Sequence, residues 1–466
     1  MSKPPRGIAV IDAGATNTKI VLFSGNGTPL AERKIGTRHF EPPPYRHIDP
    51  EPLAALCREA LPELDRIAPI DVVVPCAHGA ALACLAQDGS LALPVMDYTA
   101  EPPPEIVAEY RQIEPPFSEV FCPLLPMAIT HALQLHWQER AFPEQFANVK
   151  TIITWIQYAG FLLSGNAVSE ISSLSCQSQL MDVAANRFST LARSRGWDRL
   201  FAPMANAWET IGTLQAQFRG EGFRGEGRVL AGVHDSNANY LRYLAAGLTR
   251  FTLLSSGTWI IGFDSSTPIS SLNKERDTAS NTDIFGRQVA SCRFYGGREF
   301  ELLSEGSPAE EASIEIVSHL VSRRTMAFPS FTDSGGPVPK SGGKGHISGS
   351  PAASPMEKSS LAALYCALMV SESLDAIGSK HDIIVDGPFS KNAVFIQILA
   401  RLRSGQRVLA SDLRDGTTAG AACLALMPDG ELPRIELSLI AVEPASIPGL
   451  GEYAEVWKRD AYTQGR

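Results

Sequence analysis

LAGVHDSNANYLRYLAAGLTRFTLLSSGTWIIGF, residues Leu230 to Phe263, is the stretch on which the reading of this chain turns. A short apolar run delivers Val233-His234-Asp235-Ser236-Asn237, and a helical pattern follows until Gly247 stops it. FTLLSS and WIIGF then read as two strands flanking a tight Gly257-Thr258 turn. Asp235 falls where the helix begins, and the first-turn N–H groups there favour an anion. The ordinary task of an aspartate at that point is to cap the helix. The chemical task is a carboxylate held ionised, ready to take a proton from a hydroxyl. Capping occupies one oxygen at most, so the two tasks are compatible.

A matching hairpin stands near the N-terminus. Residues 8–23, IAVIDAGATNTKIVLF, read as strand, turn, strand, the first strand being apolar on both faces as in a covered sheet. The turn offers backbone N–H groups to a phosphate, with Thr16, Asn17, Thr18 and Lys19 beside them. Asp12 ends the strand; it cannot welcome a phosphate but can hold a hydrated magnesium ion that bridges to one. A plain hairpin turn is the alternative, and the absence of GxxxxGK[ST] excludes a Walker A loop. Gly14 and Gly257 lie 243 residues apart, about half the chain, so one such hairpin from each half of a duplicated structure is the economical reading. Two phosphate hairpins facing across a cleft are the mark of the actin-like ATPase architecture.

The 466 residues suit two or three domains, and 44% hydrophobic with 20% charged residues is the balance of an ordinary globular protein. A net charge of −9 disfavours a broad nucleic-acid face. Eight scattered cysteines form no CxxC pair and read as buried thiols, not a disulfide frame. No signal-like segment precedes Ile8 and no apolar run reaches membrane-spanning length, so a cytoplasmic protein is expected.

Between the hairpins, 28–36 reads as a strand, 50–66 as a helix and Asp71–Pro75 as a buried strand. That strand leads into Cys76-Ala77-His78-Gly79-Ala80, a loop at a strand's C-terminal end, where ligands collect in α/β sheets. His78 there can meet a substrate hydroxyl or simply pack beside the strand end. Residues 127–140, 144–164 and 180–196 read as helices, with Trp155 and Tyr158 in the interior. In the second half, 270–300 is polar and irregular up to RFYGGRE (293–299), whose paired glycines let a backbone approach a ligand closely. A helix over 299–323 follows, then an exposed Gly/Ser/Pro loop over 332–355 and a helix over 357–378. Strand Asp382–Val385, the turn DGPFSKN (386–392) and a helix over 392–403 make either a nucleotide seat or an ordinary βα turn. GTTAGAACLAL (416–426) is a small-residue helix made for close packing, and a last helix covers 451–463.

Together these motifs resemble the FGGY carbohydrate kinases, ATP-dependent sugar kinases of the actin-like superfamily, over nearly the whole chain and in the family's order. DAGATNTK looks like the first phosphate motif and CAHGA like the sugar-contacting loop. ITWIQYAGFLLSGNAVSEISSLSCQSQLMD looks like the leucine-rich helix, Thr-Gly turn and Ser/Thr-rich strand. VHDSNAN is similar to the catalytic-base motif, SSGTW to the second phosphate motif and VEPASIPGLGEYAEVWKRDA to the C-terminal signature. DGPFSKNAVFIQILA looks like the adenosine motif, with Pro388 and Phe389 where the family usually carries further glycines. HD followed by SSGTW is closest to the rhamnulose and fuculose kinase branch, whose substrates are 6-deoxy-ketohexoses.

The resemblance implies an α/β chain of two actin-like (ribonuclease H-like) domains with a nucleotide- and sugar-binding cleft between them. Residues 1–245 would carry the sugar site and base, and 246–466 the nucleotide site. It implies phosphoryl transfer from MgATP to a primary hydroxyl of a ketose, with Asp235 as general base. Gly14, Ala15, Thr16, Asn17, Thr18 and Lys19, with Ser256, Gly257 and Thr258, would hold the phosphates. Asp12 would orient magnesium through water, and Gly387, Pro388, Phe389 and Asn392 would line the nucleotide. His78, Gly79, Ala80, His234, Asp235 and Ser236 would meet the sugar. The rivals are a polyol or ketopentose kinase of the same fold and a non-catalytic actin-like sugar- and ATP-binding protein. Expected partners are a small-molecule sugar and ATP, with no nucleic acid and no membrane; a homodimer is left open.

Overall fold

The computed structural model describes residues 4–333, 336–411 and 415–464. The chain forms two compact units. One is Met1–Gly247 with Asn281–Gln288 and Asp415–Glu436; the other is Leu248–Ser280 with Val289–Arg414 and Leu437–Arg466. The reading of 246–466 as one unbroken domain is thereby corrected, because two later segments return to the first unit. Their side chains give the reason: Ile284, Ala421, Ala422, Leu424 and Met427 share a core with Ile8, Val10, Val72 and Val74.

In the first unit, β1 (Gly7–Ala13) runs antiparallel to β2 (Asn17–Ser24), which runs antiparallel to β3 (Pro29–Gly36). On its other side β1 is parallel to β4 (Ile70–Ala77). Beyond it β5 (Thr210–Thr213) and β6 (Arg228–Leu230) complete the order β5-β6-β4-β1-β2-β3. The apolar run of β1 alternates between two cores. Ala9, Ile11 and Ala13 pack with Leu53, Leu61, Trp155 and Ile156, whereas Ile8 and Val10 pack with Ala238 and Leu241. Helices cover both faces, which is why the strand carries no polar alternation until Asp12.

The second unit has β7 (Phe251–Ser256), β8 (Ile260–Asp264), β9 (Thr278–Thr282), β10 (Gln288–Phe294), β11 (Asp382–Asp386), β12 (Val408–Ser411) and β13 (Leu439–Ala441). Its order is β9-β10-β8-β7-β11-β12-β13. Strand for strand, β3-β2-β1-β4-β6-β5 matches β10-β8-β7-β11-β12-β13 in both order and sense. The two hairpins therefore hold the same place in two copies of one topology.

Several local expectations change. Residues 270–300 hold β9 and β10, and the polar TASNT strand is buried almost throughout. The helix over 144–164 is a short turn at Pro143–Phe146, a strand Thr151–Thr154 of β-branched residues, and a helix Trp155–Ser164. The helix over 180–196 is a two-residue hairpin, Met181–Asp182 with Arg187–Phe188, turned at Asn186 in left-handed conformation, then a short helix Thr190–Ser194. The 299–323 helix is two helices, Gly296–Ser304 and Ile314–Ser322, broken at left-handed Glu305 and Gly306. The Ser/Thr-rich strand is a helical turn, Ile171–Ser175. Buried Glu170 caps it, accepting from the amides and hydroxyls of Ser172 and Ser173, all within 2.7–2.9 Å. In the 332–355 loop, Ser334 and Gly335 lie outside the described residues; Val338 and Ser341 are buried, while 342–355 is mostly exposed, as expected.

Candidate active site

The strand ends of the first unit collect the charged groups. The β1–β2 register sets Asp12 opposite Lys19, and the β1–β4 register sets Asp12 opposite Cys76. Val233–His234 pairs parallel with Cys76–Ala77, so Asp235 emerges beside the same edge. Lys19 Nζ lies 3.5 Å from Asp12 Oδ2 and donates to Asp415 Oδ2 at 2.6 Å. Asp415 was not singled out from the sequence, although the small-residue helix it precedes was. It caps that helix, Gly416–Ala422, by accepting from Thr418 N at 3.1 Å. The helix lies so close to the Asp235 helix that a Cβ on Gly420 would collide with the Ala238 carbonyl. Asp12 is pushed up to about 7 by burial and by the charges of Asp235 and Asp415, against Lys19, which lowers it. Burial alone would lower Lys19 and raise Asp415, but their ion pair overrides it and moves each the other way.

Asp235 is the first residue of its helix, Asp235–Ala245; the cap position belongs to His234, which makes no side-chain cap. The carboxylate nevertheless binds the first turn. Its Oδ1 accepts from Ser236 N at 2.5 Å and Ser236 Oγ at 3.1 Å, and His234 Nε2 lies 3.2 Å away. Oδ2 accepts no hydrogen bond among the described residues, and the side chain is 34% exposed. His234 is buried, and burial lowers its pKa against the pull of Asp235. Gly79 is required beside it, because a Cβ there would stand 2.6 Å from His234 Cδ2. His78 is buried with neither ring nitrogen hydrogen-bonded among the described residues; burial holds it down at about 4, hence neutral. Its ring meets Tyr98 edge-on at 5.6 Å. His131, which the sequence reading passed over, is likewise neutral, lowered to about 4 by burial, and feels both His78 and His234. Neutral imidazoles each offer one donor and one acceptor, which suits hydroxyl groups.

The second hairpin is built against backbone. Gly257 N donates to Trp259 O at 2.8 Å, as Gly14 N does to Asn17 O at 3.0 Å. The paired glycines of GGREFE close on this hairpin. Gly297 N donates to Thr258 O at 3.1 Å, and a Cβ on Gly297 would collide with Gly257 O. Glu299 of the same stretch is buried and accepts from Phe331 N, Thr332 N, Thr332 Oγ1 and Tyr365 OH within 2.6–2.9 Å. Gly387, in left-handed conformation, packs on the Ser256 carbonyl, and Ser256 Oγ donates to Asp386 O and accepts from Phe389 N at 3.0 Å. Pro388 opens a 3-10 turn; Phe389 is buried edge-on to Phe395 at 4.9 Å. Asn392 caps the next helix through Phe395 N at 3.0 Å. Of the two departures from further glycines, Phe389 thus fills a core beside the hairpin, while Pro388 is exposed.

Two carboxylates, Asp12 and Asp415, share one lysine, and the charge of Asp235 is felt at Asp12 as well. That suits a hydrated divalent cation at Asp12. Among the described residues no group of three or more His, Cys, Asp or Glu is arranged to hold a metal alone. All eight cysteines are buried and free, and no described helix is long and apolar enough to cross a membrane.

Residues 248–433 match the model of the carbohydrate kinase FGGY C-terminal domain. No curated protein matches the chain in sequence. Among solved structures, a carbohydrate kinase from Novosphingobium aromaticivorans is 31% identical over 99% of both chains, with a TM-score of 0.87. A xylulose kinase from Rhodospirillum rubrum is similar at 18% identity, covering 98% of both chains, with a TM-score of 0.78. Plasmodium falciparum glycerol kinase, solved with ADP, is similar at 12% identity over 99% of this chain and 97% of its own, with a TM-score of 0.78. The last two share the two-domain actin-like fold; the first shares sequence as well, end to end, and with it the chain belongs to the FGGY carbohydrate kinases, a family of phosphotransferases.

Proposed function

We propose that the protein transfers the terminal phosphoryl group of ATP to a primary hydroxyl of a ketose, with Asp235 as general base. The observation that carries this is the division of labour in one carboxylate: Oδ1 is held by Ser236 and faces His234, while Oδ2 is uncommitted. Phosphoryl transfer asks mainly for positioning and charge neutralisation. Gly14–Lys19 and Ser256–Thr258 supply N–H groups and Lys19 for the phosphates. Gly387 sets the turn beside Ser256, and Pro388, Phe389 and Asn392 shape the nucleotide seat by packing and capping. A magnesium ion at Asp12, held through water, would neutralise phosphate charge. His78 and His234 orient sugar hydroxyls, with Gly79 and Ala80 forming the loop and Ser236 fixing the base.

A 6-deoxy-ketohexose such as L-rhamnulose or L-fuculose is the favoured acceptor. The HD-then-SSGTW order supports it, as does the apolar group of Ala80, Cys122, Leu125 and Ile129 beside the loop, which suits a deoxy methyl. The test is ATP-coupled turnover across L-rhamnulose, L-fuculose, xylulose, ribulose and glycerol. Preference for a 6-deoxy-ketose supports the reading, and preference for xylulose or glycerol overturns the acceptor assignment.

A further inference from the structure

The doubled topology exposes a matching device behind each hairpin. In the second unit, the residues that follow β10 reach the hairpin: Gly297 N donates to the Thr258 carbonyl. The strand equivalent to β10 in the first unit is β3, and the residues that follow it, Thr37–His39, do the same work more fully. Thr37 N donates to Thr16 O at 3.0 Å, and Thr37 Oγ1 donates to Gly14 O at 2.8 Å. His39 Nε2 stands 2.9 Å from Ala15 O. A carbonyl only accepts, so Nε2 carries the proton in this bond. Three successive carbonyls of the turn are thereby drawn to one segment, while the N–H groups of Ala15 and Thr16 make no hydrogen bond among the described residues.

His39 Nδ1 lies 2.7 Å from Oδ2 of Asp97 without the geometry of a hydrogen bond; Asp97 is a buried carboxylate that accepts from Arg46 Nε at 2.9 Å and, through Oδ1, from Thr99 N at 2.9 Å. We infer that His39 is a positioning residue that sets the first phosphate hairpin by holding the Ala15 carbonyl. Peptide planes are rigid, so fixing that carbonyl fixes the direction of the Thr16 N–H on the same plane. The inference rests on the reading of Gly14–Lys19 as the phosphate loop.

The test compares His39→Leu, His39→Gln and Lys19→Met in the full chain, by KM for ATP and for the best acceptor, and by calorimetry with MgADP. Loss of the bond predicts a rise of roughly ten-fold in the KM for ATP and in the MgADP dissociation constant for His39→Leu, with acceptor KM within two-fold. Gln, which keeps a donor at a similar reach, recovers most of it. Unchanged nucleotide affinity in His39→Leu, or no recovery by Gln, overturns the clamp. If Lys19→Met weakens nucleotide while His39→Leu does not, the phosphate reading stands without the clamp; if neither does, both fall. Should His39→Leu not fold, His39→Ala decides: a raised KM for ATP with acceptor KM unmoved supports the clamp, and an unmoved KM for ATP overturns it.

Discussion

Replacing Asp235 by Asn separates base catalysis from structure. The Asn side-chain oxygen can keep both bonds from Ser236, because Oδ1 is the atom that accepts them. What changes is the other position, which becomes an NH2 group that cannot take up the hydroxyl proton in the transition state. General-base contributions of 10²–10⁴-fold correspond to about 3–6 kcal/mol of barrier. The stability cost is smaller: losing a negative charge in the first helical turn costs roughly 0.3–1 kcal/mol. Turnover should therefore fall at least a hundred-fold, with melting nearly unmoved and MgADP and acceptor affinities within a few-fold. The assay is steady-state turnover on the best acceptor beside calorimetry for both ligands. A variant keeping more than about a tenth of wild-type turnover would refute the base assignment, since losses of a general base rarely stop so early.

Asp415→Asn should retain the helix cap through Thr418 but lose the charge-assisted bond to Lys19, raising the KM for ATP about ten-fold; an unchanged KM and MgADP affinity would sink the proposed coupling of Lys19 to that helix. Gly297→Ala should force the second hairpin aside and cost about 1–3 kcal/mol, whereas Gly405→Ala, with open space around it, serves as the silent control in urea unfolding. His78 ionises near 4 when folded against an ordinary 6.5, so the unfolded chain binds its proton first as pH falls. This ring therefore costs nothing above pH 6.5 and destabilises progressively from 6.5 down to 4. Between pH 7 and 5, His78→Asn should lose about 2 kcal/mol less stability than the wild type, and equal losses would show that the ring is not held neutral.

The hairpins, the HD pair and the CAHGA loop were legible because each is a local matter. β1 and β2 pair across a three-residue turn, and their apolar runs announce a sheet covered on both faces. Asp235 was legible as a helix start, although its place as first helical residue, with His234 at the cap, depends on how Val233–His234 joins β4. Helix and strand were confused where polar residues are buried against partners distant in the chain. TASNT became a strand and SEISS a capped turn because buried donors and acceptors found one another only in the fold.

By itself, the sequence determined that the chain is a duplicated α/β protein with two glycine hairpins and a helix that starts at the His234-Asp235 pair, since those depend on spacing over a few residues. Only the tertiary structure decided which distant groups complete them. Asp415 meets Lys19 from 396 residues away, and it can do so because Gly420 lets two helices come into backbone contact. His39 reaches the Ala15 carbonyl through the exit of β3, and the GGREFE glycines meet the second hairpin. No local pattern encodes such pairings, because they are fixed by how whole sheets and helices pack, not by the residues next in line.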